Sequence, residues 1–178
     1  GIVRAGSGAL PRLKEKIVTA DPELQLRIVD VIGDIALGAS SATSALVSLS
    51  ASEDVRVRRA KFEALGMTTQ AAEVLADGVV EALGNGLDDE DAIVVRNATF
   101  AISRLGAKAC TDSIIDQIDR NLSHWHHHVR GWSIEALQRL GDPRAMELAL
   151  DYLMSARWDP ALKSGDREPT AKTMREVD

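Results

Sequence analysis

The sequence predicts an all-α chain built as an α-α superhelix, a right-handed solenoid of about four to five helix pairs. Three observations predict it. Apolar residues recur at helical spacing almost throughout the 178 residues. No stretch shows sustained apolar–polar alternation, and no Asn-Gly or Asp-Gly joins two alternating runs, so no sheet is expected. A phrase of sequence also recurs about every 35 residues with room for two helices per period, the pattern of stacked helix pairs.

The elements follow in chain order. Residues 8–20 form the second helix of an incomplete first repeat. Pairs are then expected at about 22–37 with 41–52, 54–67 with 70–84, 91–105 with 108–121, and 125–140 with 143–156. Their apolar stripes are Leu24, Ile28, Val31 and Ile35; Ala42, Ala45, Leu46 and Leu49; and Leu75, Val79, Ala82 and Leu83. Further on come Ile114 or Ile115 with Ile118 and Leu122; Val129, Trp132, Ala136 and Leu140; and Ala145, Leu148, Ala149 and Tyr152. Asp21-Pro22 and Asp142-Pro143 each read as an N-cap followed by proline at the first helical position. Gly38, Gly106 and Gly141 follow apolar runs as helix-ending glycines do, and Asn85-Gly86 ends another run. Asp88 to Asp91 place carboxylates ahead of a helix, where its dipole favours negative charge. Residues 1–157 are read as one repeat domain, and the polar segment 158–178 as a C-terminal tail or linker.

The repeat is legible in single residues. Val129-Arg130 leads through Ser133, Ala136 and Leu137 to Leu140-Gly141. Leu26-Arg27 to Gly38, Val94-Val95 to Gly106, and Val57-Arg58 to Thr69 are less complete copies. Their anchors at 27, 58, 95 and 130 lie 31, 37 and 35 residues apart. The phrase V-R-x-x-A-x-x-A-L-x-x-L-G followed by D-P-R-A resembles the HEAT-like repeats of phycobilin-lyase-type and bacterial scaffold proteins. The resemblance spans roughly residues 10 to 157, with Val129 to Ala145 carrying it most fully. It implies an α-solenoid whose small residues, such as Ala98, Ala101 and Ala136, let helices approach closely. It also implies acid–arginine spacing that forms a ladder along the stack, here Arg27, Arg58 and Arg130 with Asp21, Glu53 and His124 five or six residues earlier.

Composition narrows the function. The chain is 45% hydrophobic but only 3% aromatic, so its core is chiefly Ala, Leu, Val and Ile. Its net charge of -6 argues against wholesale binding to nucleic acid or anionic membrane. No apolar run approaches the roughly 18 residues of a membrane span, and no basic-then-apolar leader opens the sequence. A single cysteine, Cys110, leaves no disulfide framework and fits a reducing, cytoplasmic setting.

Candidate chemistry is sparse. His124-Trp125-His126-His127-His128 holds all four histidines, and His124 and His128 share one face if the helix begins early enough, a spacing that can bind a metal. Against that stands a helix N-terminal turn in which some histidines cap backbone N–H groups or sit in solvent. Deoxyhypusine hydroxylase, a HEAT-like iron protein, takes ligands from His-Glu pairs, and no His-Glu dipeptide occurs here. Cys110 is placed near a helix start, where the dipole lowers a thiol pKa, although small core residue is its ordinary role. Gly6-Ser7-Gly8 lacks the strand and lysine of a nucleotide loop. Arg56, Arg58, Arg59 and Lys61 form a basic run, read as a solvated helix or a patch for an acidic protein partner. Trp132 is expected in the core and Trp125 at an edge.

No catalytic constellation or cofactor site emerges. The expected function is a non-catalytic scaffold that binds a protein partner around Arg58, Arg96 and Arg130, with Trp125 at the edge. Two alternatives stand beside it. Trp125 to Tyr152 is similar to the C-terminal HEAT-like region of bacterial zinc aminopeptidase relatives, which implies an accessory domain of a larger enzyme, although H-E-x-x-H is absent. A phycobilin-lyase-like protein is the other.

Overall fold

The computed structural model describes residues 6–35, 40–49, 52–70 and 74–157. Among these residues every regular element is helical: nine α-helices and two short 3-10 turns, with no strand. The α-helices are α1 (Leu10–Thr19), α2 (Pro22–Ile35), α3 (Ser40–Ser48), α4 (Val55–Gln70), α5 (Val79–Leu87), α6 (Ala92–Leu105), α7 (Asp112–Asn121), α8 (His127–Leu140) and α9 (Pro143–Arg157). No described helix is long and apolar enough to cross a membrane. Gly38, Trp158 and the segment 158–178 lie outside the described residues, and with them the expected boundary after residue 157.

The capping residues set the helix starts. Asp21 Oδ1 accepts from Leu24 N, and Asp142 Oδ1 accepts from Arg144 N and Ala145 N, each ahead of a proline at the first helical position. Asp91 accepts from Ile93 N and Val94 N, and Thr111 accepts from Ile114 N. Gly106 (φ 55°) and Gly141 (φ 74°) end α6 and α8 in the left-handed region, where a side chain is strained.

Two expected helix starts move furthest, and the helix expected over 41–52 ends at Ser48. The helix foreseen from residue 70 starts at Val79, behind the left-handed Gly78 (φ 77°). The helix foreseen from residue 108 starts at Asp112, because Gly106–Ala109 forms a 3-10 turn. Asn85-Gly86 does not end a helix either; it lies inside α5. Gly86 is there for close approach: a Cβ would stand 2.4 Å from Phe62 Cε1 and 2.9 Å from Ala98 Cβ.

The helices pack in two rows. α2, α4, α6 and α8 touch in succession, with the broadest contacts between α4 and α6 and between α6 and α8. α1, α3, α5 and α7 touch in succession as the second row, and α9 rests on α8. One continuous apolar core runs between the rows, from Leu10 and Ile17 through Leu46, Leu65, Leu83 and Ile102 to Leu137, Leu140 and Ala149.

Helices of the first row begin at residues 22, 55, 92 and 127, which are 33, 37 and 35 residues apart. Aligned on these starts, Leu24, Val57, Val94 and Val129 share one position, and Ile32, Leu65, Ile102 and Leu137 share another that is fully buried. Gln25, not Arg27, therefore matches Arg58, Val95 and Arg130. The Leu26-Arg27 dipeptide imitates Val57-Arg58 two residues out of register.

Candidate functional site

The first turns of the first-row helices and the loops before them carry most of the polar structure. Arg58 is held from both sides. Its Nε and Nη2 donate to Asp89 at 2.9 and 3.2 Å, Nη2 reaches Glu90 at 3.0 Å, and Nη1 donates to the carbonyls of Ser52 and Glu53. Only 13% of its side chain is exposed. Arg59 makes a two-pronged pair with Asp91 at 2.9 and 2.6 Å. Asp91 thus caps α6 and ties α4 to it. Its carboxyl is lowered, first by the Arg59 hydrogen bonds and against the effect of burial. Arg56 donates to Asp54 and holds that carboxyl at about 2.

The basic run on α4 is therefore solvated only in part: Arg56 and Arg59 stay substantially exposed, while Arg58 and Lys61 do not. Three of its members are paired to carboxylates, two of them to the acidic run 88–91 of the next loop, and the fourth, Lys61, is buried. The acid–arginine ladder also has different rungs from those expected. Arg58 takes the Glu53 carbonyl and not its carboxylate, and Arg27 pairs loosely with Glu23 at 3.6 Å.

Arg130 repeats the Arg58 arrangement, donating to the carbonyls of His124 and Trp125 at 2.7 and 2.8 Å. This fixes the loop that carries Trp125, a residue 42% exposed whose ring stacks on that of His124 at 5.5 Å between centroids. Arg96 stands one residue past the Arg58 and Arg130 position and donates to Asn97 Oδ1, while Asn97 Nδ2 donates to the Arg59 carbonyl. Arg130 and Trp125 are thus joined directly. Arg96 belongs to a separate polar chain that links α6 to α4.

The histidines do not share a helix face. α8 begins at His127, which leaves His124 in the preceding loop. His124 Nδ1 accepts from His126 N, and His126 Nδ1 accepts from His128 N as the α8 cap. Burial lowers the pKa of His124, His126 and His127, with the neighbouring cations adding to it. Among the described residues no group of three or more His, Cys, Asp or Glu is arranged to hold a metal. Cys110 lies before α7, and burial followed by the Asp142 and Asp112 carboxylates pushes its thiol up, not down. Trp132 is half-buried and meets Phe100 edge-on at 4.8 Å, bridging α6 and α8.

A cavity of about 310 Å³ opens between α3, α4 and α5. Val47, Leu49, Val57, Phe62 and Ala82 line it together with Lys61. Lys61 is 9% exposed and its Nζ donates to the Leu49 carbonyl at 2.7 Å. The helix register places it where α2, α6 and α8 carry Ile28, Ala98 and Ser133, all buried. In the sequence Lys61 groups with Arg56, Arg58 and Arg59 as one basic run. Aligning the helix starts was the signal that could have separated it from them.

No protein-family model matches the chain, and no curated protein matches it. Among solved structures, the crystal structure of an engineered protein from a structural genomics consortium is similar. Its TM-score is 0.63 at 22% identity, covering 94% of this chain and 77% of that one. At that identity the likeness concerns the fold alone.

Proposed function

We propose that this chain is a non-catalytic, protein-binding scaffold, a right-handed α-solenoid of HEAT-like helix pairs working in the cytoplasm. The observation that carries the reading is the regular row α2, α4, α6, α8, each helix entered through a braced loop and set on the one before. Stacked pairs of this kind bury a shared core and leave a long surface for a partner. The binding edge we assign runs over the first turns of α6 and α8, through Arg96, Arg130 and Trp125. Trp125 is the anchor: it is exposed and aromatic, its backbone is held by Arg130 and its ring stacks on His124, so less conformational freedom is lost on binding. Arg58 lies in the same register, but its guanidinium is engaged by Asp89 and Glu90, so it serves as a brace. A net charge of -6 together with internally paired arginines favours a protein partner over nucleic acid. The free Cys110 suits a reducing compartment.

The test is affinity capture from lysate of the source cell, at low and moderate salt, with the wild-type chain and the double variant W125A/R96E. The reading expects a reproducible partner that the variant loses. Equal capture by both proteins would remove this edge as the binding surface.

A further inference from the structure

We propose that the cavity between α3, α4 and α5 is a binding site for a monocarboxylate with a short apolar body, its carboxylate seated on the Lys61 ammonium. Lys61 is the reason. An ammonium group carries three donors, and the Leu49 carbonyl takes one. Among the described residues no carboxylate lies within ion-pair distance of it, and the Phe62 ring centroid stands 5.5 Å from Nζ. A cation buried without a counter-charge is costly, and burial lowers its pKa accordingly. It occupies a position filled by Ile28, Ala98 and Ser133 in the other first-row helices, so packing alone does not call for it.

The rest of the wall fits the same ligand. Val47, Leu49, Val57, Phe62 and Ala82 offer an apolar bed, and about 310 Å³ is the lower end of the size range of small-molecule sites. Arg58 and Asp89 also line the cavity but neutralise each other. Glu81 and Asn85, one turn apart on α5, are exposed lining residues. The Glu81 carboxylate disfavours a second negative charge on the ligand, which selects a monoacid over a diacid. The carboxylate could come from a free acid or from the C-terminus of a peptide with an apolar last residue. This assignment stands on α3 to α5 and is independent of the Trp125 edge.

The experiment is a ¹H–¹⁵N NMR titration of the full chain with hexanoate, hexylamine, adipate, and a Leu-terminated hexapeptide as free acid and as amide. Hexanoate is expected to move the amides of Val57, Phe62 and Ala82 and to saturate, while hexylamine and the peptide amide do not. Lys61→Met is expected to weaken hexanoate by about ten- to a hundredfold, the effect of one charge-assisted contact. Its own spectrum reports whether it folds. Glu81→Gln, at the exposed mouth, is a second check and should strengthen adipate relative to hexanoate. If the peptide acid binds more tightly than hexanoate, the source is a chain terminus; if more weakly, a free acid. Absence of shifts at millimolar hexanoate, or an unchanged affinity in Lys61→Met, would overturn the proposal.

Discussion

At the scale of single residues, the polar groups around the helix starts carry the electrostatics of the chain. Asp91 serves two elements at once, capping α6 and pairing with Arg59 on α4. Asp91→Ala should lower stability by about 1–2 kcal/mol from the cap alone, read by urea unfolding. His126 caps α8 through an unprotonated Nδ1. Its folded-state pKa is lowered, as are those of His124 and His127, so the unfolded chain binds more protons as the solution acidifies. Stability from these groups is fully present above their unfolded pKa of about 6.5 and is lost as pH falls through the lower folded values. Unfolding midpoints measured from pH 7.5 to 5 should fall, and His126→Asn, which keeps a cap without titrating there, should flatten the slope. An unchanged slope in that variant would show that His126 is not the source. The capping role of the histidines was readable from sequence, as were the caps at Asp21 and Asp142. The pairing of Arg58 and Arg59 with the 88–91 loop was not, because those residues lie 31 or 32 apart and only the packing of α4 on α6 brings them together.

At the scale of elements, the space around a glycine inside a helix decides what that glycine does. Gly86 sits where α5 presses on Phe62 and Ala98, so Gly86→Ala should destabilise by about 1–3 kcal/mol through overpacking. Gly131, in the middle of α8, has nothing near its missing Cβ, so Gly131→Ala should stabilise by about 0.5–1 kcal/mol through helix propensity. Thermal melts of the two variants should move in opposite directions; a rise in Gly86→Ala would mean that the α5 contact is loose, and a fall in Gly131→Ala that its Cβ is not free of neighbours. Helix type and order were legible because apolar spacing is local. The starts of α5 and α7 were not, since Gly78 and the 3-10 turn at 106–109 break the helix without breaking the apolar pattern. Asn85-Gly86 misled for the converse reason: a residue pair that ends helices elsewhere was selected here for packing.

At the scale of the whole molecule, the sequence period and the helix starts tell one story once the first anchor is moved from Arg27 to Gln25. The site was less legible than the fold. Trp125 in the loop before α8 and Arg130 in its first turn lie five residues apart and could be associated by sequence, whereas the cavity around Lys61 draws on α3, α4 and α5 and exists only when these pack. The solenoid we propose is a stack of interchangeable helix pairs, and removing one period tests that arrangement. Deleting residues 92–126 joins Asp91 to His127, so that the Asp91 cap opens α8 and Arg130 meets the carbonyls of Asp89 and Glu90 in place of those of His124 and Trp125. Val129, Ser133 and Leu137 then stand where Val94, Ala98 and Ile102 stood. The prediction is a helical chain that still melts cooperatively, with a smaller unfolding enthalpy, measured by circular dichroism and calorimetry. A deletion product with no helical signal and no cooperative transition would contradict the repeat architecture and the scaffold reading that rests on it.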